Sequence, residues 1–264
     1  MYKKIDHIVV RVGNLGEAID DYENKLGMVV TDGPIERPEL NLTRAYLALG
    51  TSDTFIELVQ PLSDEGAIAT ALARNGEGVH AVALVVDDRA AAAAAAKANG
   101  AQVIETSTQS FIHPRDGHGV MLQLTERTDS MVPGTGAWKW IDHMVVRVRD
   151  LDAAASGYAD KLGLKTTRGP EEQPGIGLRR VVINLGDSGR FLELAEPLGE
   201  NSAIGKSIEK RGEGVHLVAL AVGDLAAAAQ TLKQNGARVI EAGSQIFVHP
   251  SVGHGVMYQL IERP

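Results

Sequence analysis

The residues best suited to chemistry in this 264-residue chain are its eight histidines, and they fall into four pairs at one interval of about 136 residues. His7 pairs with His143, His80 with His216, His113 with His249 and His118 with His254. An imidazole can carry a proton near neutral pH or bind a metal ion through nitrogen. A histidine facing solvent drifts freely after a duplication, so four retained pairs imply structural or chemical roles. Arg11 and Arg147 share the strand face of His7 and His143, each four residues on. There an arginine could grip a carboxylate or phosphate of a ligand with both guanidinium nitrogens, or pair with Glu57 across a sheet. His113 and His249 open HP dipeptides and read as turn caps.

The elements that must position these groups repeat as well. KKIDHIVVRV at Lys3 returns as KWIDHMVVRV at Lys139, and GEGVHAVALVVDD at Gly76 returns as GEGVHLVALAVGD at Gly212. FIHPRDGHGVMLQLTER at Phe111 returns as FVHPSVGHGVMYQLIER at Phe247. The segment Thr128 to Ala137, TDSMVPGTGA, reads as a linker, dividing the chain into halves 1–127 and 138–264. Within the first half, β-like runs at Ile5–Val12, Leu42–Leu49 and Phe55–Val59 surround a helix at Leu15–Leu26 that Gly27 stops. A helix at Glu65–Arg74 leads to a second cycle. It has a strand at Val79–Val86, a helix at Asp88–Asn99 stopped by Gly100, and strands near Val103, at Phe111–His113 and at Val120–Leu124. The order β-α-β-β-β, twice per half, is an α/β (α+β) architecture. The alanines of 90–96 suit a helix lying close on a sheet.

Composition excludes several classes of function. A net charge of −8 lacks the clustered cations that a nucleic acid needs. Aromatics at 4% argue against a stacking surface for sugars or bases, and no apolar run reaches the roughly 20 residues of a membrane span. Without cysteine there is no thiolate nucleophile, disulfide or thiolate metal site. The expectation is a cytoplasmic protein with a small-molecule substrate, either a monomer with pseudo-twofold symmetry or a homodimer.

IDHIVVRV followed by the LGEAIDDYENKLG helix resembles the opening of the vicinal oxygen chelate superfamily, which includes glyoxalases and extradiol dioxygenases. FLELAEPLGENSAIGKSIEKRGEGVHLVALAVGDL and the FVHP ending are similar to methylmalonyl-CoA epimerases. The resemblance implies four βαβββ modules forming two cup-shaped sheets, glyoxalase-like, with a divalent metal at the base of each cup. It places the ligands at His7, Glu57, His80 and Gln123 in the first half, and at His143, Glu193, His216 and Gln259 in the second. Such nitrogen and oxygen donors suit Zn, Mn, Co, Ni or Fe(II).

Two departures stand out. Aligning the two strands of a half puts His7 opposite Ala81 and His80 opposite Asp6, and His143 falls opposite Leu217. Alternation then turns His80 toward the helices and leaves the ligand position empty, unless a bulge turns the ring inward. The second departure is Gln123 and Gln259, where the resemblance implies a glutamate that also moves protons; an amide is no base. Glu36 in GPIERP, repeated as Glu172 in GPEEQP, is the remaining carboxylate candidate for catalysis, beside Arg11 and Arg147.

Three functions follow from the resemblance. One is a metal-dependent isomerase, epimerase or lyase that enolises a carbonyl or CoA-thioester substrate. Another is an Fe(II) ring-cleaving dioxygenase, which needs two histidines and a carboxylate on one ion. The third is a non-catalytic binding or resistance protein on the same scaffold.

Overall fold

The computed structural model describes residues 1–50, 54–126 and 136–264. Residues 128–135 of the expected linker lie outside the described residues.

Each repeat begins with a long strand, a capped helix and a three-stranded meander. The first half runs β1 (Tyr2–Arg11), α1 (Leu15–Asn24), β2 (Val30–Arg37), β3 (Leu42–Ala48), β4 (Phe55–Pro61) and α2 (Gly66–Asn75). It continues with β5 (Gly78–Val86), α3 (Arg89–Ala98), β6 (Val103–Glu105), β7 (Ser110–Ile112) and β8 (Met121–Thr125). The second half repeats the series as β9 (Trp138–Arg147), α4 (Leu151–Leu162), β10 (Arg168–Gln173), β11 (Leu178–Asn184), β12 (Phe191–Pro197) and α5 (Ala203–Arg211). After these come β13 (Gly214–Val222), α6 (Leu225–Gln234), β14 (Val239–Ala242), β15 (Gln245–Val248) and β16 (Tyr258–Glu262).

The same local chemistry starts the helix of every module. Asn14, Asp88, Asp150 and Asp224 follow the four leading strands, and each side-chain oxygen accepts from the backbone N–H three residues on. That satisfies one donor the helix cannot pair itself.

The strands form two eight-stranded sheets, ordered β2-β3-β4-β1-β5-β8-β7-β6 and β10-β11-β12-β9-β13-β16-β15-β14. β1 runs parallel to β4, and β3 antiparallel to β4. The mixed α+β class and the glyoxalase-like fold are therefore as the sequence implies.

By compactness the chain divides differently. One unit comprises 1–6, 81–127 and 143–216, and the other 7–80, 128–142 and 217–264. Each unit thus combines a module of one half with a module of the other.

In both units one sheet face is apolar and carries the helices. Ile8, Val10, Ala45, Leu47, Ile56 and Leu58 are fully buried, as are Ala18 and Tyr22 of α1. Alternation sends their neighbours to the other face, which carries the polar side chains. The alanine-rich α3 buries Ala93 and Ala96. No described helix is long and apolar enough to cross a membrane.

Candidate functional site

Register decides which side chains share the polar face, because paired residues of neighbouring strands point the same way. In the unit of residues 7–80, His7 pairs with Phe55, Val9 with Glu57 and Arg11 with Val59. Across the next strand Tyr46 pairs with Glu57 and Arg44 with Val59. His7, Arg11, Arg44, Tyr46, Phe55 and Glu57 therefore share one face. The His7 ring stacks on Phe55, with centroids 4.3 Å apart, and its Nε2 lies 3.8 Å from Glu57 Oε2. Arg44 Nη1 donates to the other oxygen of Glu57 at 3.3 Å, and its guanidinium lies over the Tyr46 ring. Burial, with the Glu57 charge adding to it, holds the Tyr46 hydroxyl well above the usual phenol range.

The other unit repeats the arrangement. His143 stacks on Phe191, and Arg180 Nη1 donates to Glu193 Oε2 at 2.6 Å. Here Arg180 also meets Glu171 Oε2 at 3.4 Å.

The remaining sequence candidates take other positions. Glu36 pairs with Thr43 and Glu172 with Arg179, one step out of phase with Arg44 and Arg180. Both lie exposed on the face opposite the His–Glu pairs. Arg11 donates to the carbonyls of Gly76 at 2.8 Å and Val79 at 2.6 Å, clasping the turn that enters β5. Arg147 does the same to Gly212 and Val215. Burial and the Arg211 charge push Arg147 down to about 10. Glu57 has a salt partner in Arg44, on the neighbouring strand.

His80 follows Val79 into β5. Burial, helped by the Arg11 charge, pushes its imidazole down to about 4; His216 reaches about 4 by burial and the charges of Arg147 and Arg211. Both rings are neutral at pH 7. Ala81, at the position the resemblance reserves for a ligand, offers only a methyl group; it pairs with Met121, and Ala83 two residues on pairs with Gln123. In the second half Gln259 pairs with Ala219, two residues beyond Leu217 on the same strand face. Gln123 and Gln259 fall in opposite units, the latter with His7 and Glu57.

Among the described residues, His, Asp and Glu side chains alone do not assemble a divalent-ion site. His7 and Glu57 offer one nitrogen and one oxygen, and no cluster of three or more His, Asp or Glu is gathered that could hold a metal. A guanidinium already neutralises each candidate carboxylate.

The other histidines have structural partners. His113 Nδ1 accepts from the Arg115 N–H at 3.1 Å and His249 Nδ1 from the Ser251 N–H at 3.0 Å, so the HP histidines cap their turns. His254 Nδ1 sits 3.0 Å from Glu77, its Nε2 lies 3.5 Å from Asp21, and its ring stacks on Tyr22. His118 Nδ1 meets Glu213 at 3.1 Å and stacks on Tyr158. The GHG turn of one half therefore docks on the GEG turn of the other. A Cβ built on Gly255 would lie 2.1 Å from Glu77 O, and one on Gly119 2.2 Å from Glu213 O. Glu77 and Glu213 also accept from the Gly13 and Arg149 N–H groups.

Sequence reasoning missed Arg44, Arg180 and the GEG glutamates. The signal was present: Arg44 and Arg180 recur at the repeat interval, in step with Tyr46 and Val182 along strands whose alternate positions are apolar.

This architecture, a doubled βαβββ module with a His–Glu pair on the polar face, defines a class. The glyoxalase/bleomycin resistance protein/dioxygenase superfamily model matches residues 6–120 and again 142–258, and the chain belongs to that superfamily. The chain is 33% identical over 130 residues to an ethylmalonyl-CoA/methylmalonyl-CoA epimerase of Cereibacter sphaeroides, a match spanning 46% of this chain and 95% of that protein. It is 32% identical over 134 residues to the mitochondrial methylmalonyl-CoA epimerase of Mus musculus, across 47% of this chain and 74% of that one. Among solved structures, a mutant 4-hydroxymandelate synthase from Streptomyces coelicolor shares the fold, with a TM-score of 0.80 over 99% of this chain and 93% of that chain at 17% identity.

Proposed function

We propose that the chain is an isomerase or epimerase that enolises a small carbonyl or acyl-thioester substrate. The observation that carries the reading is the pair His7–Glu57, 3.8 Å apart on the polar face, with a guanidinium on the same carboxylate. The epimerase relatives support it by their names alone.

Enolisation needs a group to take the α-proton and a group to hold the charge that appears on oxygen. In this reading the Glu57 carboxylate accepts the proton as the C–H bond breaks, and the electron pair moves onto the carbonyl oxygen. The His7 imidazole, 3.8 Å from the carboxylate, donates to that oxygen. Arg44 aims the Glu57 carboxylate, and Phe55 fixes the plane of the ring. Delivery of a proton from water to the opposite face of the planar enolate, with Glu57 releasing its own proton to solvent, completes the epimerisation with atoms and charge balanced.

Incubation of methylmalonyl-CoA with the protein in D2O, followed by proton NMR, tests the reading. It predicts loss of the α-proton signal at a rate that Glu57→Gln combined with Glu193→Gln lowers about 10²-fold or more. Exchange no faster than in buffer, on this thioester and on a panel of small 2-oxo acids, would overturn it.

The second reading keeps the divalent ion (Zn, Mn, Co, Ni or Fe(II)) that the resemblance implies. What favours it is that His7 Nε2 and Glu57 Oε2 supply one nitrogen and one oxygen donor on one face. Metal analysis separates the two.

A further inference from the structure

Three aligned positions around the central arginines differ between the two copies of the site. Ile35, Arg37 and Tyr46 of the first half stand where the second half has Glu171, Gln173 and Val182. All six belong to the polar face. Ile35 pairs with Arg44 and Arg37 with Leu42 in one unit, while Glu171 pairs with Arg180 and Gln173 with Leu178 in the other.

These exchanges change what each central arginine has left to offer. Arg180 is satisfied by its own unit. Glu193 takes Nη1 at 2.6 Å and Glu171 lies 3.4 Å from Nη2. The Gln173 amide oxygen, turned to the guanidinium, accepts from Nη2 at 2.7 Å and Nε at 2.9 Å. No such ring surrounds Arg44. Glu57 takes Nη1 at a longer 3.3 Å, and the Nε is buried with no hydrogen-bond partner. An arginine stands where the amide would reach it, and an isoleucine where the second carboxylate would be. Arg37, which donates from Nε to the exposed Glu39 at 2.6 Å, stands two residues beyond Ile35 on the same strand face. Leaving a buried guanidinium N–H unpaired is costly, and the group that relieves it best is an anion with two oxygens.

We propose that Arg44, with Arg37 beside it, binds the carboxylate of a small-molecule ligand, and that the twin site around Arg180 is closed to anions by its own glutamates and glutamine. The chain then takes up one carboxylate ligand rather than two. In the terms of the enolising function, on which the identity of the reaction rests, the ligand is an acyl thioester carrying a second carboxylate. Arg44 holds that carboxylate while Glu57 and His7 face the acidic carbon. The ring of Tyr46 walls the guanidinium on one side; Val182 offers the twin no such wall.

Calorimetric titration of the full chain with malonyl-CoA, and with butyryl-CoA as a probe lacking the carboxylate, tests the assignment. Malonyl-CoA is expected to bind at one equivalent per chain and butyryl-CoA at least tenfold more weakly. Ile35→Glu with Arg37→Gln, which rebuilds the twin's ring around Arg44, should weaken malonyl-CoA tenfold or more. The converse pair, Glu171→Ile with Gln173→Arg, should open a second equivalent. Two equivalents or none for the unaltered chain, equal affinity for both thioesters, or no second equivalent in a converse variant that folds normally by circular dichroism, would each overturn the assignment. Binding without α-proton exchange would leave the carboxylate site standing and remove the isomerase reading, so the two fail separately.

Discussion

Gly255→Ala isolates the docking of the GHG turn on the GEG turn, because an internal control exists for it. Gly255 and Gly100 share a φ of +84°, so a new Cβ meets the same backbone strain at both, about 1–2 kcal/mol. They differ in the space around that Cβ. At Gly100 nothing lies within 4 Å, whereas at Gly255 the methyl group would lie 2.1 Å from Glu77 O and 2.5 Å from Glu77 C. Those are backbone atoms, which cannot swing aside, so the turn must retreat by about 1 Å or more. Overpacking of this kind costs about 1–3 kcal/mol. The retreat also lengthens the 3.0 Å contact of His254 with Glu77. Gly255→Ala should therefore lose about 2–4 kcal/mol more than Gly100→Ala, a further drop in Tm of about 5–15 °C. Urea and thermal unfolding followed by circular dichroism measure the difference. Gly119→Ala, with its Cβ 2.2 Å from Glu213 O, should behave as Gly255→Ala does. If the Gly255 and Gly100 variants unfold within about 0.5 kcal/mol of each other, the two turns are not in contact and the structural role given to His118 and His254 is wrong.

Three further outcomes are expected. His80 and His216, held neutral down to about pH 4 in the folded chain, take up protons near pH 6.5 once unfolded, so stability falls as the pH drops from 6.5 to 4. That gap is worth at most about 3 kcal/mol per histidine, and His80→Gln with His216→Gln should flatten this part of the pH–stability curve; an unchanged slope contradicts the assignment. Arg180→Met should destabilise by about 1–2 kcal/mol more than Arg44→Met, since Glu193 is more deeply buried than Glu57 and pairs at 2.6 rather than 3.3 Å. Denaturant titration of the two variants checks the order. Elemental analysis of protein purified without chelator should find well under one divalent ion per chain, and a full equivalent that disappears in His7→Ala with His143→Ala would restore the metal reading.

The parts of the fold that were legible in the sequence are those where local chemistry and packing agree. Alternation in IDHIVVRV and GVHAVALVV marked β1 and β5, and the Asp88 cap with Gly100 bracketed α3. β2 was not legible. Its residues VTDGPIER are mostly polar, with Gly33 and Pro34 in the middle, so they show no strand pattern; the register slips between Asp32 and Ile35. That slip also explains the phase of Glu36, which alternation then places away from Glu57. At the site, the resemblance named His7 and Glu57 together as metal ligands, and the structure puts them 3.8 Å apart. Arg44 was not, because an arginine between Thr43 and Ala45 looks like any solvent-facing strand residue until its neighbour across the sheet is known. The docking of His254 on Glu77 was equally hidden. Repetition shows that both motifs matter, but only folding shows that the GHG of one copy meets the GEG of the other.

The central claim is that a carboxylate beside an imidazole moves a proton at carbon. Measuring the initial rate of deuterium entry into the α-position of methylmalonyl-CoA, for the unaltered chain against Glu57→Gln with Glu193→Gln, addresses it most directly. The account predicts rapid entry in the first and a rate about 10²–10⁴ times lower in the second, with the fold unchanged. Equal rates in the two proteins would contradict it.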